Sequence, residues 1–489
     1  MSQPYANVSR NTPDREDPTQ TMTFQKESSD DRQQLEALAS CVQGRLVTPD
    51  DPTYAADHVL WNASFKGHPA AVVHCVNVED VQAVITFARE HAMPLSVRSG
   101  GHSLAGFETN DAGLVLDLSA MKKIQIDPIL RTARLEPGLT WSEVANALQP
   151  YGLALTAGDT GSVGVGGLLL GGGIGWMVRK YGLAIDHVRA VELVTAEGQL
   201  VRASAEEHPE LFWGLRGGGG NFGVVTAFEV DVHPGGTILG GAIFFDATEA
   251  EHIMQNYVRI ASEAPDELST EALLILAPPA PFIPVDKQGK PVVLIMLCYA
   301  GDINEGERVV APLRELATPI IDLIAPIPYP EIFPFNAIGE VRGMQHHADT
   351  FFVENISQEL VHTLVDAAEG VMSAETLIQF RVLGGAMSRI KNDATAFAHR
   401  DKPGMVMVTL FGPTSHDAAS LEARKQQFMQ ALSPYANGAY VNYLMDRSEQ
   451  EVHRAYPPAT YARLAALKRQ YDPTNLFRFN QNILPHPEQ

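Results

Sequence analysis

Cysteine is scarce. The chain of 489 residues carries three, Cys41, Cys75 and Cys298. An odd count at wide spacing indicates neither a disulfide framework nor a Cys-x-x-Cys metal site, and reads as reduced, mostly buried thiols. Positive charge is also short. Lys and Arg number 36 against 58 Asp and Glu, a formal net charge of −22. Such a chain repels nucleic acid and anionic membrane, so neither is an expected partner. No uninterrupted apolar run reaches about 18 residues, and no membrane-spanning helix is expected. The opening MSQPYANVSRNTPDREDPTQ has no basic patch followed by an apolar stretch. It reads as neither secretory leader nor anchor, and the expectation is a cytoplasmic enzyme. Residues 1–32 show no periodic apolar face and read as a disordered tail.

What is present is apolar material and glycine. Hydrophobic residues make up 45% of the chain, enough for more than one core at this length. From Ala70 an α/β rhythm sets in. AAVVHCV reads as a buried strand, and VEDVQAVITFAREHAM as a helix with Val81, Val84, Ile85 and Ala88 on one face. PLSVRSGGH reads as a strand running into a turn. GLVLDLSAM, KKIQIDP and TARLEPG read as strands. In TWSEVANALQPYG, Thr140 and Glu143 have capping-box spacing. A hairpin (AVELVTAEGQLVRA) and a long alternating strand (FGVVTAFEVDV) follow. From residue 237 to about 440, strands such as VVLIMLCYA and MVMVTLF mix with amphipathic helices, which implies an antiparallel sheet covered by helices. The expected division is residues 33–236, residues 237–440, and a C-terminal segment 441–489 returning to the first unit.

Glycine is concentrated in three segments. The first is Arg98-Ser99-Gly100-Gly101-His102-Ser103. Paired glycines let the backbone approach a ligand and offer N–H groups to an anion such as a pyrophosphate. The histidine beside them can serve as ligand, base or nucleophile. The second, residues 158–175, holds nine glycines in eighteen positions. It reads as neither an ordinary helix nor a strand, but as backbone wrapped round a large cofactor. Its Gly-x-Gly lacks the strand and helix spacing of a nicotinamide-dinucleotide fingerprint, and WMVRKYG is too short to be the required helix. The third segment is WGLRGGGGNFGVVT, a glycine loop feeding a strand. His346, His347 and Asp349 lack partners at metal-ligand spacing and read as an exposed loop pair. No metal site is expected.

RSGGHS, VGVGGLLLGGGIGW with KYGLAIDHV, PELFWGLRGGGGNFGVVT, AFAHR, YVNY and YDPTNLFRFNQNI occur in this order. Together they resemble the FAD-linked oxidases of the vanillyl-alcohol oxidase superfamily, in its berberine bridge enzyme-like and 6-hydroxy-D-nicotine oxidase-like branch. The likeness covers residues 40 to 485. It implies an α+β fold in which a two-lobed PCMH-type FAD-binding unit carries an inserted substrate domain. It further implies FAD bound covalently through His102. Arg98, Ser99, Gly100, Gly101 and Ser103 would cradle the pyrophosphate. Gly158, Asp159, Thr160, Val163, Gly164, Gly167, Leu168, Gly173 and Gly175 would lie along the cofactor. Val225 would stand near the adenine, and Asn480 and Asn482 near the flavin ring.

Departures from the pattern sharpen the expectation. Bicovalent members have a flavin-linked cysteine where this chain has Thr160, so a single link is expected. Leu168 stands where many plant members have histidine. Val163 occupies a position at which valine fits oxidase behaviour. The glutamate base of berberine bridge enzyme has no counterpart, because Val408 or Thr409 stands there. The base candidates are therefore Tyr440, Asn442 and Tyr443 of YVNY. If that stretch is a strand, Tyr440 and Asn442 share one face and Tyr443 takes the other. Phe397–Arg400 either borders the substrate pocket or is structural. The resemblance implies oxidation of a small alcohol or amine, with dioxygen reduced to hydrogen peroxide and the cofactor carrying the redox chemistry. A same-fold dehydrogenase, a biosynthetic oxidative cyclase and a silent flavin-binding protein are the alternatives.

Overall fold

The computed structural model describes residues 29–57 and 59–485. A helix runs from Ser29 to Cys41, so ordered structure begins before residue 33, and the rest of the expected tail lies outside the described residues. Three main sheets and a two-stranded one, His233–Pro234 with Leu153–Ala154, follow among the described residues.

The first sheet has four strands. Leu95–Arg98 and Ala71–His74 both pair in parallel with Leu114–Asp117, and Arg45–Val47 pairs antiparallel at the edge. The crossover between two of these strands is the helix Val78–Glu90. Asn77 caps it by accepting from the Asp80 N–H, and it buries Val81, Val84, Ile85 and Ala88. A second, five-stranded antiparallel sheet is ordered Ile124–Asp127, Thr132–Leu135, Val224–Asp231, Val188–Val194, Leu200–Ser204. Between the first two of these and the rest lies the helix Trp141–Leu148, with the Thr140–Glu143 capping box formed in both directions.

The third sheet is large and antiparallel. It begins at Thr237–Asp246, and its centre is Pro291–Tyr299, Leu268–Leu276, Thr376–Val382, Gly404–Gly412 and Gln345–Val353. One face is covered by the helices Ala250–Glu263, Gln358–Val371 and Ala418–Leu432, with Ala272, Leu274, Ile378, Val406 and Val408 in that core. The period of two along a strand turns the alternate residues Leu273, Leu377, Gln379, Met407, Thr409 and Phe411 the other way. These line a cavity against the two smaller sheets. The α+β class expected from the sequence is the class observed.

Two sequence expectations change here. Within residues 158–175 a seven-residue helix, Val165–Gly171, does form. Its three consecutive leucines are buried, and that burial offsets the low helical preference of its glycines. The stretch YVNY is not a strand: Val441–Tyr443 is a single 3-10 turn. It is held by the Tyr443 N–H donating to the Tyr440 carbonyl.

Candidate active site

The glycine segments meet at the cavity, whose volume is about 370 Å³. Gly100 and Gly164 touch backbone to backbone. A Cβ on Gly100 would lie 2.3 Å from the Gly164 nitrogen, and one on Gly164 would lie 2.3 Å from the Gly100 nitrogen. Part of the glycine requirement is thus the crossing of two loops, and part is clearance for a ligand. A Cβ on Gly167 or Gly220 would meet nothing within 4 Å, and both residues line the cavity.

The structure brings most of the expected cofactor residues to this one wall. Arg98, Ser99, Gly100, Gly101, His102 and Ser103 line it from the first loop. Gly158, Asp159, Thr160, Val163, Gly164, Gly167 and Leu168 line it from the second, and Val225 and Asn480 from elsewhere in the chain. Three expected residues are not among those lining it. Gly173 donates its N–H to the Tyr440 hydroxyl at 2.9 Å. Gly175 packs on the Ala157 carbonyl, which a Cβ would meet at 2.0 Å. Asn482 gives way to Gln481, which lines the cavity in its place; along an extended tail neighbouring side chains point opposite ways.

Arg98 is fixed by Asp117. Its Nε donates to the carboxylate at 2.6 Å, and Nη1 donates to the Asp57 carbonyl at 2.5 Å. The His102 Nε2 lies 2.9 Å from the Ser162 hydroxyl, and the ring sits 5.3 Å from that of Trp61. Burial, with Arg342 and His346 nearby, pushes its pKa down to about 3. The imidazole is therefore neutral at ordinary pH and keeps a lone pair, as a nucleophile must. Thr160 donates to Asp159 at 3.1 Å and accepts from Asn336 Nδ2 at 3.0 Å.

The base candidates line the same cavity. The Tyr440 hydroxyl accepts from Asn442 Nδ2 at 2.9 Å as well as from Gly173. Burial pushes its pKa up to about 12. The Tyr443 hydroxyl donates to Asp159 Oδ2 at 3.5 Å, and burial beside that carboxylate holds its pKa well above 10. Neither phenol rests as phenolate. Asp159 Oδ2 also accepts from Arg381 Nη2 at 2.6 Å. The same guanidinium nitrogen bonds Glu271, to which Gln379 Nε2 donates at 2.7 Å.

Other expectations are corrected. His346 and His347 stand on the strand Gln345–Val353, not in a loop, and are only 2% and 8% exposed. His346 stacks on Trp61 at 3.9 Å, and His347 Nδ1 pairs with Glu422 at 3.0 Å. Arg400 is fully buried on Asp186, so the Phe397–Arg400 segment is structural. Thr409 lines the cavity, whereas Val408 faces the covering helices.

The comparisons with known proteins agree with this geometry. Residues 69–204 match the FAD binding domain family, and residues 439–484 match the berberine and berberine-like family. The (R)-6-hydroxynicotine oxidase of Paenarthrobacter nicotinovorans is 30% identical over 459 residues, covering 91% of this chain and 97% of that protein. The chain belongs to the berberine bridge enzyme-like FAD-linked oxidases. Xylooligosaccharide oxidase of Thermothelomyces thermophilus is 28% identical over 92% of this chain and 94% of its own length. The crystal structure of 6-hydroxy-D-nicotine oxidase from Arthrobacter nicotinovorans superposes with a TM-score of 0.82 at 29% identity, covering 91% of this chain and 98% of that one. BBE-like 1 of Physcomitrella patens, 22% identical, shares the fold, with a TM-score of 0.82. No helix among the described residues is long and apolar enough to cross a membrane.

The cofactor of this FAD-linked oxidase fits the residues present. The glycine clearances above give it room, and the Asn480 carboxamide oxygen on the cavity wall is buried without a partner. The sequence reading missed Glu108. Neither of its buried carboxylate oxygens bonds another residue among the described residues, and burial pushes its pKa up to about 7, against the pull of its own backbone N–H and of Arg98, Arg342 and Arg447. A folded-state pKa above the ordinary value of 4.5 means that the folded protein holds this proton longer than the unfolded chain. Stability from this group is full below about pH 4.5 and is lost as pH rises towards 7. Glu108→Gln is therefore expected to stabilise the protein by about 3 kcal/mol at pH 8 and to change little at pH 4. Melting midpoints of both proteins at the two pH values check this; an equal gain at both would mean that packing, not ionisation, is responsible.

Proposed function

We propose that this FAD-dependent oxidase holds its cofactor through a single covalent bond to His102. It would oxidise a small alcohol or amine and pass the electrons to dioxygen, releasing hydrogen peroxide. The observation that carries the reading is the pairing of a neutral, half-buried His102 with Thr160 in one cavity. The first is a nucleophile, and the second is a residue that cannot form the other link.

Bound there, FAD supplies the hydride acceptor. The protein supplies the rest. Ser162 orients the imidazole through Nε2, which leaves Nδ1 for the bond. The loop glycines would hold the pyrophosphate through backbone N–H groups. Leu273, Leu377, Met407 and Phe411 form an apolar wall that excludes water and selects a small, weakly polar substrate over a sugar chain. Tyr443 takes the proton that leaves the substrate hydroxyl or amine and gives up its own on the far side. Val163 lines the same cavity, in keeping with access for dioxygen.

Acid precipitation tests the covalent link. A yellow pellet whose mass exceeds that of the chain by one FAD, with the label on the His102 peptide, is the expected result. A colourless pellet under a yellow supernatant would sink the link while leaving the oxidase. Peroxide release from a panel of benzylic alcohols, cyclic amines and xylobiose then tests the reaction; turnover of xylobiose alone would overturn the small-substrate reading.

A further inference from the structure

A buried carboxylate that the sequence assigned to the cofactor sits where the proton must go. Asp159, 7% exposed, lines the cavity. Its Oδ2 accepts from Tyr443 at 3.5 Å and from Arg381 at 2.6 Å, and its Oδ1 accepts from Thr160 at 3.1 Å. Arg381 lies directly opposite Glu271 in the strand register, and both are almost wholly buried, at 3% and 1% exposure. One guanidinium thus serves two buried carboxylates.

We propose that Asp159 is a catalytic residue, the final acceptor of the proton that leaves the substrate through Tyr443, with Arg381 and Glu271 as the residues that position it. This rests on the oxidase reading above. When the substrate carbon loses a hydride to the cofactor, its O–H or N–H bond must also break, and the freed proton needs an oxygen to hold it. Tyr443 alone cannot keep the resulting charge balance, because its phenol is already protonated. It can only receive one proton while releasing another, and Asp159 is the acceptor within reach. A hydride carries two electrons and one proton, so with the proton held on Asp159 it would supply what turns dioxygen into hydrogen peroxide.

Other groups around the cluster do not replace it. Glu271 faces Arg381 and Asp159, and burial pushes its pKa up to about 7. Near neutrality it is therefore partly protonated. Tyr257, beside Glu271, bonds Thr270 at 3.0 Å. Tyr440 is engaged with Gly173 and Asn442. Tyr329 is buried, with no hydrogen bond to Asp159 among the described residues.

The test needs no known substrate. The midpoint potential of the holoenzyme flavin is followed from about pH 5 to about pH 9 in the wild type, Asp159→Asn, Glu271→Gln and Tyr443→Phe. A carboxylate that takes up a proton when the flavin is reduced would make the potential more dependent on pH. For a two-electron couple each proton taken up adds about 30 mV per pH unit to the slope. The wild type is expected to be steeper than Asp159→Asn by that amount over part of the range. Tyr443→Phe is expected to keep the steeper slope, because it alters only the route, and Glu271→Gln is expected to keep the Asp159 share of it while losing whatever Glu271, with its pKa of about 7, adds. Asp159→Asn leaves Arg381 balanced by Glu271, so the variant has no unpaired buried charge. Coincident slopes for the wild type and Asp159→Asn would overturn the assignment while leaving a flavoprotein oxidase. A protein purified without flavin would instead overturn the function on which it rests.

Discussion

Arg381→Met is expected to cost about 3–5 kcal/mol of stability, because it removes one partner of a buried ionic cluster and strands the other charges. Both carboxylates that Arg381 serves are buried: Asp159 on the glycine loop and Glu271 on the large sheet. No other cation bonds either of them among the described ion pairs, and Glu271 keeps only the amide of Gln379. The loss should depend on pH in a definite direction. Carboxylates without their cation hold protons more tightly in the folded state than in the unfolded chain, so the deficit grows as pH rises and shrinks in acid. Melting midpoints at pH 5 and pH 8 test this. The further variant Arg381→Met with Glu271→Gln should recover part of the loss at pH 8. A single variant that melts with the wild type at pH 8 would show that water reaches the cluster and that the ion pairs do not join the loop to the sheet.

That cluster also marks where the sequence stops being legible. Local signals were plain. Thr140 and Glu143 predict a capping box that forms in both directions, and the 3.6-residue spacing of Val81, Val84, Ile85 and Ala88 predicts the buried face of their helix. The glycine runs predict loops that converge, although Gly100 and Gly164 also meet each other, which no single segment can reveal. Glu271 and Arg381 are another matter. They are 110 positions apart, and only strand register makes them neighbours. A signal did exist: each is the one charged residue of its stretch, STEALLIL and LIQFRVL. A charge in a strand buried on both faces requires a partner of opposite sign. His346 was misjudged for a related reason. A polar pair between short apolar runs reads as a loop until the strand beside it supplies the partners. Glu108 left no trace in its sequence neighbourhood, since its burial, and the more distant pull of Arg98, Arg342 and Arg447, come from chain packed around it in the fold.

Tyr443→Phe is expected to lower kcat/KM about 10²- to 10⁴-fold, the usual contribution of a positioned proton-transfer group. The effect should be larger for an alcohol, whose O–H proton must leave, than for an amine that arrives unprotonated. Tyr440→Phe provides the contrast. The Tyr440 hydroxyl accepts from the Gly173 N–H and the Asn442 amide, and its loss strands a buried backbone donor at a cost of about 1–3 kcal/mol. That variant should melt lower yet retain most of its rate once folded. Anaerobic bleaching of the flavin by a compound from the panel reads the chemical step apart from reoxidation. Tyr443→Phe should slow bleaching and leave reoxidation by dioxygen unchanged, whereas Tyr440→Phe should slow neither by more than a few-fold. Equal losses in the two variants would place Tyr443 with Tyr440 among the packing residues, and the proton would then have to pass from substrate to Asp159 without a relay.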